Sequence, residues 1–180
     1  MEESQLIKLS KQGDGNSFNQ LVEKYQKLAY NLAYRFLGQA QAAEDATQEA
    51  FISAWKGLGG FRGENFKAWL LQIVANTCRD YLRSNRRHPT TSYEALLVDP
   101  SPTLVTNEKS LELEESLQRG LAQLPHEQRL AIILSDAIGM SYEEIAQTMG
   151  CNLGTVRSRL SRGRESLRNW LLAHGELLGR

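Results

Sequence analysis

From Phe18 the apolar residues Leu21, Val22, Tyr25, Leu28, Ala29, Leu32, Ala33 and Phe36 recur every three or four positions. That spacing lays one stripe along one face of a helix, and Gly38 ends it. A second segment, 42–58, carries Phe51, Ala54, Trp55 and Leu58 on one side and an acidic cluster, Glu44, Asp45, Gln48 and Glu49, near its start. Gly57, Gly59, Gly60 and Gly63 then make a loop that holds Phe61 and Arg62. A third helix follows from Phe66, with Trp69, Leu70, Ile73, Thr77 and Tyr81 expected inward. No β-type alternation appears in this half.

The pattern breaks at Pro89. Residues 89–106 are frequent in Pro, Ser and Thr, carry no helical stripe and read as a linker. The stretch from Tyr93 to Glu115 has six acidic residues against Lys109, a local charge of −5. Helical spacing resumes with Leu113, Leu117, Leu121 and Leu124, stopped by Pro125, and three further helical stretches begin near Glu127, Ser141 and Asn152. The expected fold is all-α.

The last two of those stretches carry the strongest motif. Ser141 with Glu144 three residues on is a capping box, which starts a helix by satisfying free backbone N–H groups. Gly150 is placed to close that short helix and Asn152 to cap the next. Short helix, tight turn and longer helix is the helix-turn-helix plan, whose second helix enters the DNA major groove. On that second helix Val156, Leu160, Leu167 and Leu171 share one side, while Arg157, Ser158, Ser161, Arg162 and Glu165 share the other. Between Asn152 and Arg168 five arginines face one glutamate, a local charge of +4. Arginine forks onto guanine edges and grips phosphate.

A second basic stripe lies on the third helix. Trp69, Asn76, Asp80, Arg83 and Arg87 fall beside the core stripe with Arg79 and Arg86 adjacent, and 76–88 carries +3. Basic residues interleaved with an aromatic ring and an amide suit a surface that holds phosphates and captures unpaired bases.

These local charges matter because the whole chain has none to spare: 21 Lys and Arg balance 21 Asp and Glu over 180 residues. No global field draws it to nucleic acid. Apolar runs are far shorter than the roughly 20 residues of a membrane span, and the start, Met1-Glu2-Glu3-Ser4, lacks a secretory pattern, so a cytoplasmic protein is expected. Cys78 and Cys151 stand far apart and are expected as buried or half-buried free thiols. His88, His126 and His174 are scattered with no nucleophile or carboxylate set around them. No enzyme activity, metal site or cofactor is expected.

In the order and spacing of its motifs the chain resembles the extracytoplasmic-function (ECF) sigma factors of the sigma-70 family. The resemblance rests on Ala43-Glu44-Asp45-Ala46-Thr47-Gln48-Glu49-Ala50-Phe51 through Trp55, Phe61-Arg62-Gly63 with Phe66 and Trp69, and Asn76-Thr77 through Leu82. It continues in Leu124-Pro125 with Gln128-Arg129, and in Gly154-Thr155-Val156-Arg157-Ser158-Arg159. It implies two small helical domains, a sigma-2-type bundle over 1–88 and a sigma-4-type helix-turn-helix domain over 107–180, joined by a flexible acidic linker.

The resemblance also implies roles. Glu44, Asp45, Gln48, Glu49 and Trp55 would grip the bacterial core RNA polymerase. Phe61, Arg62, Trp69, Asn76, Arg79, Asp80 and Arg83 would open the minus-ten element and hold a flipped non-template base. Thr155, Arg157, Ser158, Arg159, Ser161, Arg162 and Arg164 would read the minus-thirty-five element as duplex. The loop from Phe61 to Trp69 is shorter than the commonest family form, so the base preference is not carried over. Family members are often held by an inhibitory anti-sigma factor, which nothing in the sequence names here.

The alternative is a ligand-sensing helix-turn-helix regulator that binds operators without polymerase. Such a regulator usually works as a dimer on spaced half-sites. The near-zero net charge, the single reading helix and the second basic stripe favour a protein whose DNA contacts are positioned by polymerase.

Overall fold

The computed structural model describes residues 2–87 and 108–174, except the side chains of 86, 87 and 108–110. The expected linker, 89–106, and His88 lie outside the described residues. Among them are eight α-helices and no strand.

Helix α1 (Glu3–Lys11), which the stripe reading did not include, is largely polar and buries only Leu6 and Ser10. It is tied to the next helix through Glu3, which accepts from Tyr25 Oη at 2.6 Å and pairs with Lys24. Helix α2 (Gly15–Leu37) carries the first stripe as expected: Phe18, Leu21, Tyr25, Ala29, Leu32 and Phe36 are buried. Asp14 caps its start by accepting from the backbone of Asn16 and Ser17, and Gly38 closes its end at φ 77°, a left-handed conformation that glycine adopts without a Cβ penalty.

Helix α3 (Ala40–Gly57) packs on both α2 and α4 (Phe66–Arg87) and buries Ala42, Ala43, Ala46, Ala50 and Ala54, small side chains suited to close helix packing. Phe51 and Leu58 are buried as expected, but Trp55 is 38% exposed and Ile52 47%. Helix α4 (Phe66–Arg87) buries Leu70, Leu71, Val74, Ala75 and Cys78. Its core stripe therefore lies about one position on from the expected one. Trp69, Ile73, Thr77 and Tyr81 sit half-buried at the margin, where the ring of Trp69 packs on Phe61 of the preceding loop.

Helix α5 (Glu108–Ala122) also turns from its expected face. Leu121 and Leu124 are buried and Leu117 is half-buried, but Leu113 is 50% exposed. Ser116 and Gln118 are buried in its place, because this face lies across the end of α2. There Gln118 Nε2 donates to the carbonyl of Arg35 at 2.8 Å, and Arg35 pairs with Glu114 at 2.9 Å.

Helix α6 (His126–Ile132) widens into a π-helical turn, Ile133–Ala137, and the chain then reverses at Gly139. Helix α7 (Tyr142–Met149) starts with the expected capping box. Glu144 N–H donates to Ser141 Oγ at 3.2 Å, and Ser141 N–H to Glu144 Oε2 at 2.9 Å. Gly150 ends it at φ 62°, and Asn152 caps α8 (Leu153–Ala173) by accepting from Thr155 N–H at 2.8 Å. Val156, Leu160, Leu167 and Leu171 are buried, as expected.

The two halves pack on one another, a contact the sequence did not announce. Their buried side chains form one hydrophobic cluster, with α5 against α2 and α7 against α4. Arg129, 7% exposed, sends Nη1 to the carbonyl of Phe36 in the other half at 2.8 Å.

Candidate nucleic-acid and polymerase interface

Helix α8 leaves the turn with its apolar side against α6 and α7, which forces the polar side outward. Arg157, Ser158, Ser161 and Arg162 are all exposed. Thr155 is half-buried at the helix start, where its carbonyl accepts from Ser158 Oγ at 3.0 Å. The other two candidates on this helix are engaged within the protein. Arg164 forks onto Asp136, Nη2 to Oδ1 at 2.5 Å and Nε to Oδ2 at 3.1 Å, and donates to Ser135 Oγ at 3.2 Å. These bonds raise the Arg164 guanidinium above its ordinary range and hold the Asp136 carboxyl below its own. Arg159 pairs with Glu127 at 3.1 Å and approaches Cys151 Sγ at 3.6 Å.

The candidate residues of α4 and its preceding loop are spread over two environments. Phe61 is not an open stacking platform: it is 5% exposed, edge-on to Phe66 at 5.7 Å and tilted on Trp69 at 5.0 Å. Its apolar ring gains more from the core than from water. Beside it lies a cavity of about 160 Å³ walled by Gly60, Phe61, Arg62, Gly63, Asn65, Trp69, Gln72 and, from the other half, Gln147.

Asn65, Gln72 and Gln147 were not singled out from sequence. Asn65 had a legible signal, since an Asn just before an apolar periodic run is a helix cap, and its Oδ1 accepts from Ala68 N–H at 2.9 Å. Further along α4, Asn76, Asp80 and Arg83 are exposed, with Arg83 on Asp80 at 3.3 Å. Arg79 is half-buried and donates to Asn76 Oδ1 and to Glu127 Oε1, each at 2.8 Å.

The acidic cluster of α3 is wholly outward: Glu44, Asp45, Gln48 and Glu49 are exposed, and Gln41 steadies Asp45 at 3.1 Å. One turn on, Ile52 and Trp55 continue the same surface. Trp55 leans on Phe18 at 4.9 Å, and with Phe51, Asn19 and Gly15 they line an open groove of about 340 Å³. Ile52, 47% exposed, joins this surface although it is not among the dock residues expected from sequence.

The described residues hold no cluster of metal-binding side chains, and none of their helices is long and apolar enough to cross a membrane. Cys78 is buried and its thiol is pushed up to about 12 by desolvation, which denies it a thiolate at neutral pH. Cys151 is half-buried.

The chain matches the Sigma-70 region 2 family over residues 21–88 and the Sigma-70, region 4 family over 114–167. It is 37% identical over 177 residues to the RNA polymerase sigma-H factor of Pseudomonas aeruginosa, with 92% of each chain covered. To the ECF RNA polymerase sigma-E factor of Escherichia coli K12 it is 38% identical over 175 residues, 91% of each. The chain belongs to the ECF sigma factors of the sigma-70 family.

This sigma factor is similar in structure to CnrH, solved in complex with the cytosolic domain of CnrY, with TM-score 0.71, 27% identity and 93% and 96% of the two chains covered. It is also similar to the sigma factor RpoE from Bartonella quintana, solved with the anti-sigma factor NepR, with TM-score 0.70, 30% identity and 86% and 96% covered. As an ECF RNA polymerase sigma factor it directs transcription initiation in company with core polymerase, a non-enzymatic role. Region 2 spans most of α2 through α4, and region 4 runs from α5 into α8.

Proposed function

We propose that residues 1–88 dock on core polymerase and open the minus-ten element, that 107–180 read the minus-thirty-five element as duplex, and that 89–106 set the span between them. One observation carries the reading: α8 follows a capped helix-turn-helix and points Arg157, Ser158, Ser161 and Arg162 to solvent while its apolar side is locked in the core. A helix held this way can lie in the major groove with its arginines at base edges and phosphates.

Glu44, Asp45, Gln48, Glu49 and Trp55 form the polymerase dock. An acidic face with an apolar margin fits a basic helical partner, steering encounter by charge and holding by burial. Arg62, Trp69, Asn76, Asp80 and Arg83 hold the melted minus-ten strand, with Phe61 supporting the loop from within. A flipped base costs a few kcal/mol to extrude, which stacking and hydrogen bonds at the Trp69 cavity offset. Arg159, Arg164 and Thr155 shape the reading helix, and Arg79 joins the minus-ten surface. The protein acts in the cytoplasm, where its polymerase and promoter are. An anti-sigma factor restrains it, a reading that the solved complex of RpoE with the anti-sigma factor NepR supports.

The experiment is run-off transcription from a promoter library with purified core polymerase, with and without the protein. Transcripts that depend on it and share two spaced elements are expected. Arg162→Ala should then lose about 1–3 kcal/mol at cognate minus-thirty-five sequences. No dependent transcripts, together with tight operator binding by the protein alone, would overturn the reading in favour of a free-standing regulator.

A further inference from the structure

The loop between α3 and α4 must hold one shape if it is to receive a base, yet Gly59, Gly60 and Gly63 favour many. Glycine gives up more backbone freedom than any other residue on being fixed. A Cβ added at Gly59 or Gly60 would meet nothing within 4 Å among the described residues, so packing does not fix the backbone at those two positions. Phe61 does. Its ring is 5% exposed between Phe66 and Trp69, and its N–H donates to the Leu58 carbonyl at 3.1 Å. Its own carbonyl accepts from the ammonium of Lys11, 50 residues earlier on α1, and the same Nζ lies 5.4 Å from the centre of the Phe61 ring. A charged donor makes this a stronger restraint than a neutral bond.

Lys11 can hold the loop because α1 is itself held. Leu6 and Ser10 are buried, with Ser10 Oγ donating to the Leu6 carbonyl at 2.7 Å, and Glu3 accepts from Tyr25 Oη at 2.6 Å. Tyr25 lies against Phe66 at 5.6 Å, and Phe66 is edge-on to Phe61 at 5.7 Å. Helix α1 therefore reaches the loop twice, through a run of rings and through the direct bond from Lys11. That bond falls one residue before Arg62, which with Asn65 and Trp69 walls the cavity. Lys11 precedes residue 21, where the match to Sigma-70 region 2 begins, and it is not among the residues expected to meet DNA.

We propose that Lys11 is a positioning residue for the minus-ten surface: by holding the Phe61 carbonyl it presets the loop, so that Arg62 and Trp69 stand ready for the extruded base. The proposal rests on the reading of the Trp69 cavity as the base-capture site. A loop ordered beforehand loses less freedom when the base arrives, and the gain appears as affinity for the captured base rather than for DNA at large. A phosphate contact by the same ammonium would act whether or not a base is present.

The test uses holoenzyme reconstituted with wild type, Lys11→Met or Lys11→Arg. Affinity is measured for a fork-junction DNA whose promoter comes from the run-off experiment and whose non-template minus-ten strand is unpaired. The strand is used intact and with an abasic nucleotide at each minus-ten position in turn. Methionine keeps an apolar stem over the Phe61 ring and donates nothing, whereas arginine still donates. On the intact fork Lys11→Met should bind roughly three- to tenfold more weakly than wild type, and Lys11→Arg within about twofold of it. At the abasic position that costs wild type most, the gap between wild type and Lys11→Met should close, because no base is left for the loop to hold. Affinity for core polymerase and the circular dichroism spectrum should be the same in all three, which a general loss of folding would not allow. A gap that persists in full at that abasic position would overturn the proposal, since Lys11 would then act on phosphate or on the fold at large. Equal affinity of wild type and Lys11→Met on the intact fork would overturn it too. Indifference of wild type to every abasic substitution would bring down the base-capture reading itself, and the proposal with it.

Discussion

Arg129 and Phe36, 93 residues apart in sequence, meet where the two halves join: the guanidinium donates to the Phe36 carbonyl at 2.8 Å and lies over its ring at 5.4 Å. The same guanidinium donates to the carbonyls of Ala122 at 2.7 Å and Leu124 at 3.2 Å. It thus closes the carbonyl ends of α2 and α5 together, where a positive charge is favoured by both helix dipoles. Burial pulls its pKa down to about 10, still far enough above neutrality to keep it charged.

Arg129→Ala is therefore expected to lose about 3 kcal/mol or more in urea unfolding, because it strands several buried carbonyls as well as removing charge-assisted bonds. Arg129→Lys should recover only part, since an ammonium cannot span both helix ends as the planar fork does. A loss below about 1 kcal/mol in Arg129→Ala would show that water replaces the guanidinium there.

Asp136 and Glu144 should contribute to acid sensitivity, together with Glu3 and Asp14, whose carboxyls are also held low. Hydrogen bonds from Arg164 hold the Asp136 carboxyl below its ordinary value, and the Ser141 N–H in the capping box does the same for Glu144. A carboxyl depressed in the folded state contributes stability that is fully present above its unfolded pKa and is lost as pH falls through the folded one. Stability should hold from neutrality to about pH 4.5 and then drop. Asp136→Asn should be less stable at neutral pH yet show a shallower fall below that point. An acid limb as steep as wild type would exclude Asp136 from it.

Some of this was legible in the sequence and some was not, for a physical reason in each case. The α2 stripe, the Ser141–Glu144 box, the Asn152 cap and the outward face of α8 follow from spacing and local hydrogen bonding, which the chain encodes within a few residues. Leu113, expected inward with its helical stripe, lies outward because its burial depends on an element distant in sequence. Leu113 gave way to Ser116 and Gln118 once α5 met the end of α2, and Phe61 went inward once Phe66 and Trp69 offered it a ring-lined slot. The pairing of Glu127 with two helices was beyond local pattern for the same reason. Arg164 looked like a DNA contact by charge alone, and only the fold shows it forked onto Asp136.

Gly163 is buried where α8 packs on Gln128 and Ile132 of α6. A Cβ there would stand 2.8 Å from Ile132 Cδ1 and 3.2 Å from Gln128 Cβ. Gly163→Ala should gain helix propensity, about 1 kcal/mol, and lose more to overpacking, typically about 1–3 kcal/mol, for a net fall in the thermal midpoint. Ile132→Val removes the methyl that clashes, so the double variant should be more stable than the sum of the single effects implies. Simple additivity in a double-mutant cycle would place the strain elsewhere.

The α3 surface makes a prediction that separates charge from burial. Glu49 belongs to the exposed acidic cluster, and Ile52 and Trp55 form the apolar margin one turn on. Glu49→Lys reverses a charge in the steering field, so it should slow association with core polymerase, and the difference from wild type should shrink as salt rises. Ile52→Ala removes area that is lost from water only on docking, so it should speed dissociation and respond little to salt. Surface plasmon resonance on immobilised core polymerase at two ionic strengths resolves both rates, while circular dichroism checks that neither variant has lost helix. Equal effects of both variants on association alone would mean that the apolar margin stays wet in the complex and that the dock is purely electrostatic. Normal binding by Glu49→Lys would remove the acidic cluster from the dock altogether.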